Sequence, residues 1–360
     1  MKQKSIYVSK PKIANKNKLL KDLRDIINSS IYTNDGPYLK RLEGKIKKKL
    51  GLNHVVCLAN GTLGLNLALK ALDVTGEVVT TPFTFVASSS AILWNSCKPV
   101  FCDVSKDTFN IDENKIESLI TKKTKAILAT HVFGNPCNIE KIGKIAKKFK
   151  LKVIYDASHC WSVNYKKKSI LSYGDISVLS FNATKIFHTI EGGACITNEK
   201  STANTLRSMR YFGFDQNKNL KGIGINAKMS EFHAAVGLNN ILEIKNVLAK
   251  YKALYSYYKK NLKKNKFIFF QKLLDERNYN FSYFPIIFYS VLEKEKIIKK
   301  LGNLNIFPRE YFSPSLNQVY DNSNKCSNSD YLASRIICLP LHMDVKKTDI
   351  KKICDVINSL

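Results

Sequence analysis

Lys185 closes the run Ser180-Phe-Asn-Ala-Thr-Lys185, and Glu191-Gly-Gly193 follows it. A lysine set just beyond a buried strand is desolvated, which lowers its pKa and frees the neutral amine to form an imine with a carbonyl. Upstream, the apolar run Val153-Ile-Tyr-Asp156 ends in a carboxylate and continues as Ala-Ser-His159. A carboxylate at a strand end can pair with a protonated ring nitrogen, although capping a helix or a turn is its more ordinary use. Leu58-Ala-Asn-Gly61-Thr62 stands where a strand gives way to a helix. Its free N–H groups and the helix dipole can hold a phosphate, with plain capping as the competing use. Thr80-Thr-Pro-Phe83-Thr-Phe85 sets aromatic rings after the next strand, to stack on a planar ligand or to fill the core.

These four features answer to four parts of one molecule. An imine-forming amine, a partner for a pyridine nitrogen, a phosphate turn and a stacking ring are what pyridoxal 5′-phosphate (PLP) requires. Each is weak alone; their succession at strand ends makes them a set.

The elements that must position them are legible from residue 54 to about 200, where short β-rich runs alternate with stretches of helical period. The pattern predicts strands at His54–Leu58, Glu77–Thr80, Pro99–Asp103, Ala126–His131, Val153–Asp156, Ile176–Phe181 and Ala194–Thr197. Helices are predicted at Gly61–Leu72, Ile111–Ile120 and Ile139–Phe149. This is an α/β arrangement around a mainly parallel sheet, whose chemistry belongs at the carboxyl ends of the strands. After Gly237 the pattern changes, and Asn240–Leu262 reads as one long helix leading into a smaller α+β unit. That unit takes in Asn280–Tyr289, Lys294–Leu301 and a closing helix Thr348–Leu360, with Asp321–Asp330 as a polar loop. The expected division is a large domain with an N-terminal arm over 1–240 and a small domain over 241–360. A chain of 360 residues exceeds what one core usually supports.

Composition bounds the class. Lys and Arg number 58 against 29 Asp and Glu, a net charge of +29 that raises the question of nucleic acid. The lysines are dispersed, without a zinc-finger spacing or the aromatic pattern of an RNA-binding sheet, so a solvated basic surface is expected and no nucleic-acid partner. A basic patch would equally attract a nucleotide diphosphate. Nine cysteines without a C-x-x-C pair predict no metal and a reducing, cytoplasmic setting. The start Met1-Lys-Gln-Lys-Ser-Ile-Tyr lacks the apolar core of a signal peptide, and no run is long enough to span a bilayer, so no membrane association is expected.

The chain resembles the DegT/DnrJ/StrS family of sugar aminotransferases over nearly its whole length, from Tyr32-Thr-Asn-Asp-Gly-Pro37 to Leu339-Pro-Leu-His342. The likeness is most specific at Asp156, at Ser180–Lys185 and at Gly224-Ile-Asn226-Ala-Lys-Met-Ser230. It implies the PLP-dependent transferase fold type I, similar to aspartate aminotransferase, with Lys185 as the Schiff-base lysine. By the same resemblance Asp156 pairs with the pyridine nitrogen and His159 lies near the ring oxygen. Ser180, Gly61 and Thr62 hold the phosphate, and Phe85 stacks on the ring. Asn226 is similar to the asparagine that reaches the phosphate of a neighbouring subunit, which implies a homodimer with shared sites.

Three departures bear on substrate contact: Asn182 stands where relatives carry His or Tyr, Lys228 where Arg is frequent, and Cys160-Trp161 where small residues are frequent. The implied reaction moves an amino group from glutamate to a nucleotide-linked keto sugar by ping-pong kinetics. Surface glycan synthesis, such as lipopolysaccharide O-antigen, is the implied setting. Tyr32–Pro37, Ala59–Thr62 and Thr75–Pro82 resemble the subgroup acting on dTDP-4-keto-6-deoxyglucose at C4. Lys185–Gly193 also resembles C3 aminotransferases of dTDP-3-keto-6-deoxyhexoses, the alternative. Arg309–Pro314, a cation with Tyr311 and Phe312, is a candidate substrate-facing loop or an ordinary surface loop. A related sugar dehydratase carries His in place of Lys185, and a non-catalytic basic binding protein is motivated by charge alone.

Overall fold

A computed structural model describes residues 5–321, 323 and 325–360; the first four residues of the N-terminal segment, and Asn322 and Asn324 of the polar stretch, lie outside it. Seven strands form the central sheet: β1 His54–Leu58, β2 Glu77–Thr80, β3 Lys98–Phe101, β4 Thr124–Thr130, β5 Lys152–Asp156, β6 Ile176–Ser180 and β7 Gly193–Thr197. Their order is β1-β7-β6-β5-β4-β2-β3. Only β7 runs against its neighbours. The strands are continuous runs of Val, Ile, Leu and Ala because both faces are covered, so no polar alternation is needed.

On one face Leu42, Ile46, Ile142 and Ile145 come from helices Pro37–Leu50 and Ile139–Phe149. On the other, Leu65, Leu69, Ile92 and Leu206 come from helices Gly61–Ala71, Val86–Trp94 and Lys200–Arg210. Burial of each such side chain stabilises the fold by about 2 kcal/mol. The functional consequence is a rigid sheet whose parallel strands all end at one edge.

The helix Glu231–Leu262 begins nine residues before the predicted Asn240, capped by Ser230, whose hydroxyl accepts the His233 N–H. Its first half gives Ala234, Ala235, Ile241 and Ile244 to the large core. Its second half gives Tyr251, Leu254, Tyr258 and Leu262 to a separate core with Phe284, Ile286, Ile337 and Ile353. There the three-stranded antiparallel sheet Ile268–Phe269, Phe284–Phe288, Ile336–Leu339 packs with helices Val291–Gly302 and Lys347–Asn358. Ile6–Tyr7 pairs in parallel with Ile306–Phe307, tying the start of the chain to this second core.

Two expectations are corrected. Ile111–Ile120 is not a helix; only the single turn Glu117–Leu119 is helical. The Asp112 side chain accepts the Asn114 N–H and the Asp112 N–H donates to the Asp103 carbonyl, which commits the chain to a turn. The polar stretch ends earlier than expected, because Ser327–Arg335 is helical and buries Leu332 and Ala333. The predicted ends of β3, β4, β6 and the closing helix differ by one or two residues from those observed.

Candidate active site

The carboxyl ends of β1, β2, β4, β5 and β6 open onto a cavity of about 270 Å³. Gly61, Thr62, Phe85, Asp156, His159, Ser180 and Lys185 all line it. Seven of the eight residues singled out in the sequence are therefore brought together from separate strand ends.

At the end of β1, Asn60 caps the helix Gly61–Ala71, its Oδ1 accepting the Leu63 N–H at 2.8 Å. The cap leaves the N–H groups of Gly61 and Thr62 without a partner among the described residues, at the positive end of the helix dipole. Gly61 is pressed against β6: a Cβ there would lie 3.1 Å from the Ser180 Cβ. Gly193, opposite both Leu58 and Ser180 in the sheet, is tighter still, since its Cβ would come within 2.6 Å of the Asn60 carbonyl carbon and the Gly61 nitrogen. Two glycines thus let a helix N-terminus and a serine hydroxyl converge, which is how an anion is held without a side-chain cation.

Asp156 ends β5 and is buried. Its Oδ2 accepts the Ser88 hydroxyl at 2.7 Å and its Oδ1 accepts the Ser158 N–H at 3.1 Å. His159 packs among Phe133, Tyr283 and Phe312, with Nδ1 buried and unpartnered among the described residues. Burial and the nearby Lys185 hold its pKa well below the usual histidine value, so the ring is neutral. Burial lowers Lys185 from 10.5 to about 8, with Arg309 adding to the effect and Asp156 opposing it. Lys185 is thus a desolvated amine of the reactive kind.

The turn that delivers Lys185 is built by Asn182. Its carbonyl accepts the Lys185 N–H at 2.9 Å, its side-chain oxygen accepts from the Thr184 N–H and hydroxyl, and its side-chain nitrogen donates to Glu191 at 2.8 Å. Position 182 departs from the family pattern, and the structure gives it this architectural part. Phe85, at the N-terminal end of helix Val86–Trp94, remains 52% exposed, whereas Phe83 is buried in the core. Of the two aromatics after β2, Phe85 is therefore the one presented to the cavity.

Arg309, Tyr311 and Phe312 also line the cavity, so the loop read as substrate-facing does reach it. The guanidinium lies 4.6 Å over the Tyr311 ring. Sequence reading missed Thr84 and Ser88, whose only signal was proximity to Phe85, and Thr130 and Tyr283, which carry no local signal and are brought in by pairing with Asp156 and packing on His159. Asn226 is not among the cavity residues; it is exposed, accepts from Lys228 Nζ at 2.7 Å and sits on the bridged segment opposite Tyr211.

The DegT/DnrJ/EryC1/StrS aminotransferase family matches residues 14–358. A dTDP-4-amino-4,6-dideoxy-D-glucose transaminase of Shigella dysenteriae is 37% identical over 365 residues, covering 99% of this chain and 100% of the relative. The crystal structure of DesI in the presence of its TDP-sugar product superposes with a TM-score of 0.94 at 27% identity, covering 100% of this chain and 93% of that one. NtdA of Bacillus subtilis with bound cofactor PMP superposes with a TM-score of 0.85 at 26% identity, covering 96% and 82%.

Proposed function

The chain belongs to the DegT/DnrJ/EryC1/StrS aminotransferase family and is a PLP-dependent nucleotide-sugar aminotransferase, and from that premise we propose that it aminates dTDP-4-keto-6-deoxyglucose at C4 with glutamate as donor. The observation that carries the choice of sugar is the full-length match to a relative named for the corresponding 4-amino sugar, on a chain with the cavity constellation intact.

The residues present fit PLP. Two N–H groups and a hydroxyl converge where Gly61 lies close against Ser180, and a buried carboxylate and His159 Nδ1 flank the same space. The N–H groups and Nδ1 are without a partner among the described residues. In our reading Gly61, Thr62 and Ser180 hold the phosphate, Phe85 covers one ring face, Asp156 faces the ring nitrogen, and His159 lies at the ring oxygen. When bound, PLP supplies an electrophilic carbon and an electron sink through which an amino group can be taken from one molecule and given to another. Lys185 then does the proton work: its Nζ removes the proton from Cα of glutamate and, in the second half, returns one to C4 of the sugar. Asp156 keeps a proton on the ring nitrogen by offering it a fixed anion. Arg309 offers a cation at the mouth, where both glutamate and a nucleotide diphosphate carry negative charge. Since both substrates use one cavity, they take turns, and kinetics are ping-pong.

We also propose that two copies share their sites, Asn226 of each serving the other's phosphate turn. Support comes from Asn226 standing outside its own cavity and from the apolar residues beside it in sequence, Leu220 and Ile223, being 66% and 73% exposed. We place the enzyme in the cytoplasm on the strength of nine buried, unpaired cysteines. Among the described residues no helix is long and apolar enough to cross a membrane.

The test is absorption spectroscopy. Wild type reconstituted with PLP gains a visible band that glutamate bleaches, and the bleached enzyme then converts dTDP-4-keto-6-deoxyglucose to the 4-amino sugar; Lys185→Ala does neither. An amine delivered to C3, or bleaching unchanged in Lys185→Ala, overturns the assignment.

A further inference from the structure

Behind Asp156 lies a line of hydroxyls that the reaction as described does not use. Ser88 donates to Asp156 Oδ2 at 2.7 Å, Ser88 Oγ lies 3.1 Å from Thr84 Oγ1, and Thr84 Oγ1 lies 2.9 Å from Thr130 Oγ1. All four side chains are at most 4% exposed, so water does not compete for these bonds. The direction of each bond follows from counting protons. A hydroxyl has one, and that of Ser88 is given to the carboxylate. Thr84 must then donate to Ser88, and Thr130 to Thr84. Three hydroxyls therefore point the same way, toward one anion, an arrangement in which each bond polarises the next.

The line also crosses the sheet. Thr130 and Asp156 are paired residues at the ends of β4 and β5, while Thr84 and Ser88 bracket Phe85 after β2. One segment thus presents Phe85 to the cavity and clamps the carboxylate.

We propose that Ser88, supported by Thr84 and Thr130, is the positioning residue for Asp156, fixing the carboxylate so that it engages the ring nitrogen of the cofactor. This rests on the reading that Asp156 faces that nitrogen. With Oδ2 bound to Ser88 and Oδ1 to the Ser158 N–H, rotation about the Cβ–Cγ bond is closed off. Each oxygen keeps a further lone pair for a partner in the cavity. Loss of the Ser88 hydroxyl leaves Asp156 to reorient or to seek another donor. Loss of the Thr84 hydroxyl at constant volume removes the support one step back.

The test compares two ligands on the apo-protein: PLP, and 1-deaza-PLP, which carries carbon in place of the ring nitrogen. Wild type prefers PLP, and Asp156→Ala abolishes the preference. Ser88→Ala should reduce the preference about tenfold, as expected for a hydrogen bond to a charged group. Thr84→Val should reduce it by a smaller factor, and Thr84→Ser, which keeps the hydroxyl, should restore it. A merely structural role would weaken both ligands equally and leave their ratio at the wild-type value, which overturns the proposal. If Asp156→Ala keeps the preference, the placement of Asp156 at the ring nitrogen fails instead, and the proposal falls with it. Thr84→Val, being isosteric, keeps the comparison available if Ser88→Ala does not fold.

Discussion

Lys185 is expensive to the fold while it is charged. Burial lowers its pKa from 10.5 to about 8, so the folded protein disfavours the ammonium that the unfolded chain carries freely. The sign follows: the destabilisation is fully present below pH 8 and fades as pH rises toward 10.5, because over that window the unfolded chain binds more protons than the folded one. Apo-protein with Lys185→Met should therefore melt higher than wild type at about pH 7, with the gap narrowing as the pH is raised above 8; thermal denaturation across that range measures it. A Lys185→Met variant that is less stable near neutrality would show that the amine is held by contacts rather than strained by burial. The same desolvation gives the amine its reactivity, since near neutral pH about a tenth of it is neutral instead of a negligible fraction. His159, also pushed toward its neutral form, adds no competing charge beside it.

At the scale of elements, the site depends on β1, β6 and β7 approaching more closely than ordinary side chains permit. Gly193→Ala would set a methyl against the Asn60–Gly61 peptide at 2.6 Å, moving the helix start away from Ser180. Its affinity for PLP, by absorbance titration, should fall by about tenfold or more, as for loss of charge-assisted hydrogen bonds. Pyridoxal, which lacks the phosphate, should bind as it does to wild type. Gly44 provides the contrast. It is exposed in the interior of helix Pro37–Leu50, with nothing within 4 Å of where a methyl group would stand. Gly44→Ala should accordingly stabilise by about 0.5–1 kcal/mol in urea denaturation. Elsewhere, Arg210 fixes the approach to that helix by pairing with Asp35 and Glu43 at 2.9 and 2.7 Å, and Glu231 caps it by accepting the Tyr38 and Leu39 N–H groups.

For the whole molecule, the proposed division near residue 240 falls inside the helix Glu231–Leu262, whose two halves feed different cores. We read this helix as the beam that keeps Arg309 and Tyr311, beyond the second half, over a cavity floored by the first core. Sharing of sites between copies has a direct test. Lys185→Ala and Asn226→Ala, each inactive alone, should regain about a quarter of wild-type activity when mixed through unfolding and refolding, because half of the random dimers hold one intact site of two. No recovery on mixing would place Asn226 and Lys185 in the site of one and the same copy and overturn the sharing, and full activity of Asn226→Ala alone would place Asn226 outside the catalytic unit.

Local signals determined much of this protein. The apolar runs of β1 and β2 and the helix Ile139–Phe149 have the bounds that their residues predict, because continuous burial and helical period are written in neighbouring residues. The chemically loud residues, Lys185, Asp156 and Gly61, belong by their flanking runs to strand ends, and that is where they stand. Where a side chain answers to a distant partner, the sequence was silent. Ile111–Ile120 has helical spacing, yet Asp112 is drawn to Asp103 and turns the chain. Ser88 looks like any helix serine until folding sets its hydroxyl 2.7 Å from a carboxylate 68 residues away. Which glycine has no room for a methyl was likewise decided by tertiary packing, since it depends on what lies across the sheet; Phe85 was already named by resemblance, and the burial of Phe83 supplies the physical reason.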